Sequence, residues 1–423
     1  MTLTNPPVLT DVNPVPPPEP LAEPASGPLD WLRRNLFRSP ADAVVTVVSG
    51  AVVGYILYRL GRYVLVTGRW EIVRANLKLF MVGRYPTDDL WRIAVVLAAV
   101  GLLAGLVAGF IHQRHVVAGT EPARQPLGRR LLTVFARLWP LILGTALLLS
   151  LTSTIGPTVM VTAVVVAAVV GRLLGVRLPK GSLALLVLAG VFGFGVAVWF
   201  LTRPVGWDGW GGMMLNVFLA VAGITLCFPL GVLLALGRRS KLPLVRAVSV
   251  GYIELFRGVP LYVLLLLGFL ALGFFIPTWL EAPGLVVRAV VVFTLFTAAY
   301  VAEIVRGGLQ SLPKGQTEAA QALGLSTVRT TFLIVLPQAL RNVIPALVGQ
   351  FISLFKDTVL AAAAMGFLDA SNVSGLANAQ DAFRGQRLAA ETLPFVMLLF
   401  WIGCITMSRE SQRLERKLGV GTR

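Results

Sequence analysis

KGQTEAAQALGLSTVRTTFLIVLP, residues 314–337, is a polar segment that lies between two long apolar runs. Residues 318–323 are good helix formers, and Gly324 is typical of the position at which a helix stops. Ser326 can cap a second helix, which must end or kink at Pro337. The sequence therefore predicts a short helix, a turn and another helix. The first helix is too short to span a membrane and suits docking into a partner's groove.

Apolar runs long enough to cross a membrane lie on both sides of this segment. A spanning helix needs about 20 mostly apolar residues. The sequence therefore predicts an all-α polytopic integral membrane protein with about ten transmembrane helices. Their approximate bounds are 42–60, 91–111, 133–153, 157–174, 182–201, 214–236, 253–276, 285–305, 338–362 and 392–408.

The composition supports a membrane protein and excludes several soluble classes. Of the 423 residues, 56% are hydrophobic and only 13% are charged, whereas a soluble domain usually carries about 25% charged residues. The net charge of +17 comes from lysines and arginines that mostly lie between apolar runs, so we expect no nucleic-acid partner. Cys227 and Cys404 are interpreted as small apolar side chains. His112 and His115 supply too few ligands for a metal site.

Basic residues in the short loops predict the topology. Clusters within 33–38, 314–329 and 409–423 place both termini and the polar segment in the cytoplasm. Residues 61–90 are the exception, because they are rich in basic residues although the span count places them outside. Either the rule fails there, or the first span is misread. Residues 70–80 could also form an amphipathic helix at the membrane interface.

Glycines at a spacing of four residues occur in the first half of the chain. Gly101, Gly105 and Gly109 are one such set, and Gly50 and Gly54 are another. This spacing lets two helices approach closely, either within the chain or in a dimer contact. We favour packing within the chain, because glycine is common in membrane helices.

The polar segment carries a motif of EAA, three residues, Gly, nine residues and I-x-L-P. This spacing resembles the ATPase-coupling motif of permeases from binding-protein-dependent ABC importers. Segments 255–260, 302–308, 313–316 and 336–341 resemble the permeases for polar amino acids, the histidine, glutamine, arginine and opine group. The residues that match the coupling motif are Glu318, Ala319, Ala320, Gly324, Ile334, Leu336 and Pro337.

The resemblance also suggests a domain organisation. It covers about 212–410, which we assign to a five-helix type-1 ABC permease domain. Residues 1–30 are rich in proline and are expected to form a disordered cytoplasmic tail. Residues 31–205 form an N-terminal membrane region with about five extra helices, whose layout resembles the long permease subunit of the general L-amino acid transporter. Residues 411–423 form a basic cytoplasmic tail.

The resemblance implies several partners. They are a cytoplasmic ABC ATPase dimer, an external amino-acid-binding protein in the periplasm or outside the cell, and a second homologous permease in the bacterial inner membrane. The sequence has no G-x-x-x-x-G-K-[ST] segment. We therefore expect no cofactor bound by this chain and no enzyme activity of its own, because the partner ATPase would hydrolyse ATP.

A polar stripe in the ninth predicted span is the candidate substrate path. Gln350, Ser353 and Asp357 fall at i, i+3 and i+7 and therefore share one helix face, with Lys356 beside them. Charges inside a span are costly, and a zwitterionic amino acid needs both a donor and an acceptor. The alternative is that Lys356 and Asp357 neutralise each other or anchor at the outer interface.

Two further interpretations concern Glu303 and the function class. Glu303 and Arg306 are predicted to form a structural ion pair or to contact the coupling loop, and Arg257 to anchor at the inner interface. The alternative function is an ion-gradient-driven secondary transporter, which would need charges at corresponding places in two repeated halves. Residues 90–200 contain few charged residues within their predicted spans, which argues against this alternative. A membrane enzyme would need a cluster of titratable groups, which the sequence does not contain.

Overall fold

The computed structural model divides the chain into two compact units. The units are Met1–Gly68 and Arg69–Arg423. The structure describes residues 32, 35–117, 156–179, 181–277 and 282–418. The predicted tail 1–30 and the predicted span 133–153 lie outside these described residues.

The described part of the first unit is dominated by one apolar helix, α1 (Pro40–Arg62). Ser39 caps it, because its hydroxyl oxygen accepts a hydrogen bond of 3.1 Å from the backbone N–H of Asp42. A π-helical turn, Tyr63–Thr67, continues the helix. The first predicted span lies within α1.

The second unit contains the remaining helices. The first five are α2 (Glu71–Ala75), α3 (Leu77–Val82), α4 (Leu90–Val117), α5 (Gly156–Gly175) and α6 (Leu183–Thr202). The helices of the predicted permease domain are α7 (Gly212–Arg238), α8 (Pro243–Gly258), α9 (Leu261–Leu270), α10 (Leu285–Gln310), α11 (Gly315–Ala322), α12 (Thr327–Thr330), α13 (Leu336–Asp357), α14 (Val359–Met365), α15 (Ala370–Ala379) and α16 (Ala389–Leu418).

Most of these helices are long and apolar. Within the described residues, 7 helices could cross a membrane by length and composition, or 8 if a bent pair, α8 and α9, is counted as one span. A shorter apolar helix, Val159–Gly175, coincides with the predicted span 157–174. Each predicted span except 133–153 therefore falls on an apolar helix or on the bent pair. The all-α polytopic membrane fold is confirmed.

The bent pair differs from the single run predicted at 253–276. The chain turns by 101° between α8 and α9. Val259 is extended, with φ −108° and ψ 135°, because the ring of Pro260 disfavours helical geometry in the residue before it. Residues 253–258 therefore belong to α8, and only α9 and a short 3₁₀ turn follow the bend.

The permease helices define two ends of the second unit. The coupling end holds the C-terminus of α7, where Arg238 contacts Glu303, and the start of α11. The far end holds the N-terminus of α7, where Gly212 forms an isolated bridge with Asp369. A Cβ on Gly212 would lie 2.4 Å from the carbonyl oxygen of Phe80 in α3. Residues 69–89 therefore lie at the far end.

The alternative interpretation of residues 70–80 as an amphipathic helix at the membrane interface is wrong. The segment is split into α2 and α3, and its apolar face is buried in protein, where Ile72, Val73 and Phe80 are fully buried in one cluster with side chains of α15 and α16. Asn76 and Gln380 exchange amide hydrogen bonds of 3.2 and 2.7 Å. This N-terminal segment is therefore part of the same core as the permease helices.

The glycine stripe of α4 packs against α5 within the chain. A Cβ on Gly105 would lie 2.1 Å from the carbonyl oxygen of Ala168, and one on Gly171 would lie 2.1 Å from that of Leu102. Such distances leave no room for a side chain. The stripe is therefore an intramolecular contact, and the alternative of a dimer contact at Gly101, Gly105 and Gly109 is wrong.

A buried polar cluster joins α7 to the start of α15 at the far end. The amide of Asn216 donates hydrogen bonds of 3.1 Å to Thr358 and to Asp369, and its oxygen accepts one of 3.1 Å from the N–H of Ala370. Asp369 also caps α15 through Ser371 and Asn372. Burial raises the pKa of the Asp369 carboxyl, against the effect of these hydrogen bonds.

We expect Gly105→Ala to destabilise the purified protein by about 1–3 kcal/mol, because the added methyl group must push α4 and α5 apart. The midpoint of thermal unfolding, followed by tryptophan fluorescence in detergent, measures the change. Gly193→Ala in α6 is the matched control, because nothing lies within 4 Å of its Cβ position. Equal midpoints for the two variants would contradict the close contact.

We expect Asn216→Ala to lower the free energy of unfolding by about 2–3 kcal/mol, because it leaves the buried Asp369 carboxylate with one donor fewer. Asn342→Ala removes an amide that forms an exposed hydrogen bond to Ser311 and should cost less than a third of that. The same unfolding assay compares them. A loss no larger than the control's would mean that the cluster does not stabilise the far end.

Candidate coupling segment and substrate path

Helix α11, the predicted coupling helix, ends in a glycine-dependent cap. Gly324 has φ +76°, which lies in the left-handed region that glycine adopts without strain. The N–H of Gly324 donates to the carbonyl of Gln321 at 2.9 Å, and the N–H of Leu325 donates to that of Ala320 at 3.1 Å. This pair of hydrogen bonds is a Schellman motif, which explains why the motif has Gly at this position.

One side of α11 is held by the protein, and the rest is exposed. Ala320 is only 2% exposed, whereas Glu318 and Ala319 are exposed. Leu323, at the end of the helix, is 82% exposed. The segment that follows also exposes large apolar side chains, which is unusual for a polar loop and typical of an interaction surface. These side chains are Val328, Phe332 and Leu333.

The second half of the motif anchors the segment to the membrane helices. Leu336 is buried in a cluster with Val305, Leu309 and Ala339. The predicted break at Pro337 takes the form of a π-helical turn, Thr331–Val335, directly before α13. This wider turn fits a proline that has no N–H to offer the preceding turn. Ile334 is half-buried and Pro337 is exposed.

Gln338 links α11 to α13. Its side-chain amide donates to the backbone carbonyl of Ile334 at 2.9 Å and to the side-chain oxygen of Gln316, in the first turn of α11, at 3.3 Å. Neither glutamine is among the site residues predicted from the sequence. No local pattern identifies the pair, because they lie 22 positions apart.

Glu303 lies at the centre of an ion-pair network at the coupling end. Arg306 donates two hydrogen bonds to it, of 2.8 and 3.0 Å, and Arg238 donates one of 2.6 Å. Arg257 lies 3.7 Å away, and Arg238 also contacts Glu254 at 3.3 Å. The predicted pairing of Glu303 with Arg306 is present. It is extended by arginines from α7 and α8, which join the ends of three helices.

The residues of the predicted substrate path lie near the far end of α13. Gln350, Ser353 and Asp357 are half-buried on one face, and Lys356 is exposed. Lys356 and Asp357 form no ion pair with each other, nor with any other side chain in the part of the chain that the structure describes. Within the described residues, the side chains of Gln350, Ser353 and Asp357 also form no hydrogen bond, so this face has polar groups available to a ligand.

Comparisons with known proteins found a matching family model and a similar solved structure. The family model described as a binding-protein-dependent transport system inner membrane component matches residues 227–418. The crystal structure of an amino acid ABC transporter with histidines is similar at 28% identity and a TM-score of 0.42, over 48% of this chain and 90% of that chain.

Two relatives are similar along nearly their whole length. A glutamate/glutamine/aspartate/asparagine transport system permease protein of Rhodobacter capsulatus is 34% identical over 93% of this chain and 94% of its own. An inner membrane amino-acid ABC transporter permease protein of Escherichia coli is 32% identical over 96% of this chain and 97% of its own. The N-terminal membrane region is thus shared with these relatives. This multi-pass inner-membrane protein therefore belongs to the amino-acid ABC transporter permeases.

Proposed function

We propose that this chain is the permease subunit through which an ABC importer takes up L-amino acids, and that α11 couples it to a separate ATPase. The observation that carries the proposal is the geometry of α11. It is a short helix between two spans, joined to α13 through Gln316 and closed by the cap at Gly324. It presents an exposed surface that includes Glu318 and Leu323. Such a helix suits insertion into a groove on a partner.

The coupling would use binding free energy to shift a conformational equilibrium. Closure of an ATPase pair on ATP would move α11, and the hydrogen bond from Gln338 to Gln316 would pass the movement to α13. A ligand shifts such an equilibrium only by its differential affinity for the two states. The membrane helices would then alternate between inward and outward access.

The substrate path is proposed along α13. Gln350 and Ser353 can donate and accept hydrogen bonds, and Asp357 can accept them from the ammonium group of an amino acid. Since polar groups inside a span are costly, a face that leaves them without internal partners is suited to a polar ligand. The names of the relatives support amino acids as the cargo, because both are amino-acid permeases.

The partners and the orientation follow from the same proposal. The coupling end would face the cytoplasm and an ATPase dimer, with both termini inside. The far end would face an amino-acid-binding protein in the periplasm. A second homologous permease would complete the pathway. This chain would bind no cofactor and no metal and would catalyse no reaction, because ATP would be hydrolysed by the partner.

We expect Leu323→Asp to insert normally but to reduce uptake of labelled L-amino acids at least tenfold, because it places a charge on the surface of α11 that docks. Uptake is measured in cells that lack the wild-type chain, with the membrane level of each variant checked. Leu414→Asp is the matched control, because Leu414 is also exposed, in the last turns of α16. Gly324→Val should fail in the same way, and Gly324→Asn should retain more uptake, because Asn tolerates a positive φ.

Two results would contradict this proposal in different ways. Full uptake by Leu323→Asp would mean that α11 is not the coupling contact. Uptake that never depends on this chain would mean that L-amino acids are not its cargo, whatever α11 does. ATP hydrolysis by the assembled complex, stimulated by the loaded binding protein, reports on coupling independently of the cargo assayed.

We expect Asp357→Asn to raise the substrate concentration for half-maximal uptake about tenfold or more, because a charge-assisted hydrogen bond to the ammonium group is lost. Substrate-independent ATP hydrolysis should remain unchanged. Asp208→Asn, the same substitution at an exposed position in the loop before α7, should leave uptake unaffected. Unchanged uptake kinetics in Asp357→Asn would exclude Asp357 from the path.

A further inference from the structure

A basic pocket lies at the coupling end and shares Arg238 and Arg306 with the Glu303 network. It is an open groove with a volume of about 570 Å³. It is formed where α7 ends, α8 begins and α10 ends. The polar side chains that line it are Arg238, Arg239, Ser240, Arg246, Arg306 and Gln310.

The charges in this pocket are not balanced by the protein. Arg238 and Arg306 share Glu303, and Arg238 also contacts Glu254. Arg239 donates to the uncharged backbone carbonyl of Leu309 at 3.3 Å. Arg246 is exposed and has no acidic partner in the part of the chain that the structure describes. The four guanidinium groups of the lining face two carboxylates, one of which, Glu303, is also shared with Arg257, so an excess of at least two positive charges remains.

The chemistry of the lining favours a phosphate group. Guanidinium groups bind phosphate oxygens through paired, charge-assisted hydrogen bonds. Ser240 and Gln310 add neutral donors at the rim. Arg238 and Arg306 are already paired with carboxylates. The guanidinium groups that remain available to a phosphate are therefore mainly those of Arg239 and Arg246.

The position of the pocket favours a lipid as the source of that phosphate. It lies at the ends of α7, α8 and α10, and the exposed Leu242 of the loop before α8 can contact an acyl chain. Basic pockets between membrane helices are typical sites for anionic lipid head groups.

We propose that this pocket binds the phosphate group of an anionic phospholipid and thereby stabilises the junction of α7, α8 and α10. Gln310 is the last residue of α10, and α11 begins at Gly315. A bound head group therefore contacts the helix end from which the coupling segment starts. Inorganic phosphate offers the same chemistry without acyl chains and is the alternative source that the experiment separates.

The test uses the full chain purified in a non-ionic detergent. Phosphatidylglycerol, phosphatidylcholine and inorganic phosphate are titrated separately at matched ionic strength. The unfolding midpoint and native mass spectrometry report binding. We expect phosphatidylglycerol to bind and to raise the midpoint, whereas phosphatidylcholine does not. The double variant Arg239→Gln/Arg246→Gln should bind phosphatidylglycerol about 30-fold more weakly, since each basic residue near a lipid surface typically contributes about fivefold.

Two single variants keep the test valid if the double variant does not fold. Ser240→Asp adds a carboxylate to the pocket, and its oxygen can still accept the hydrogen bond that Ser240 receives from the N–H of Leu242. It should weaken binding as well. Lys241→Gln removes an exposed charge from the same loop outside the lining and should change the affinity less than twofold.

The possible outcomes distinguish a lipid from inorganic phosphate as the ligand, and two of them overturn the proposal. Equal binding of phosphatidylglycerol to the wild type and to Ser240→Asp overturns the pocket as the site, and equal binding of both lipids overturns recognition of charge. A rise produced by inorganic phosphate alone, with no further effect of lipid, retains phosphate recognition and rejects the lipid source.

Discussion

The carboxylate of Glu303 joins the ends of three helices, one of which, α10, leads into the proposed coupling segment. A charge within an apolar helix is costly unless it is paired, and Glu303 is paired with Arg306 of its own helix and with Arg238 and Arg257 of two others. Among the described residues, the loss of Glu303 would leave Arg257 and Arg306 without a carboxylate partner. The ends of α7, α8 and α10 are thus fixed relative to one another, which gives α11 a firm base on one side.

On its other side α11 is fixed by neutral contacts. Leu336 is buried among apolar side chains of α10 and α13, and Gln338 joins the first turn of α11 to the start of α13. Helix α11 is thus linked to α10 through the intervening loop and to α13 through Gln338. Under the proposed function, these two links would let a movement of α11 reach both spans.

The sequence predicts the apolar helices and the coupling segment well, because both depend on local pattern. Hydropathy locates each described span, and the motif locates Gly324 before its positive φ is known. Contacts between distant residues could not be predicted in this way. Glu303 and Arg238 are 65 positions apart, and Asn216 and Asp369 are 153 apart. Pairing at such separations depends on how helices pack, which no single stretch of sequence specifies.

The basic residues of 61–90 illustrate the same limit. The positive-inside rule counts charges but not their partners. Arg69 donates to the backbone carbonyl of Gln386 at 2.8 Å, and Lys78 donates to the hydroxyl of Thr87 at 2.8 Å. The Arg69 contact joins the start of α2 to the loop before α16, whereas the Lys78 contact lies within residues 69–89. Because the rule takes no account of such partners, the number of basic residues says little about the side of the membrane. Residues 69–89 lie at the end of the second unit opposite α11.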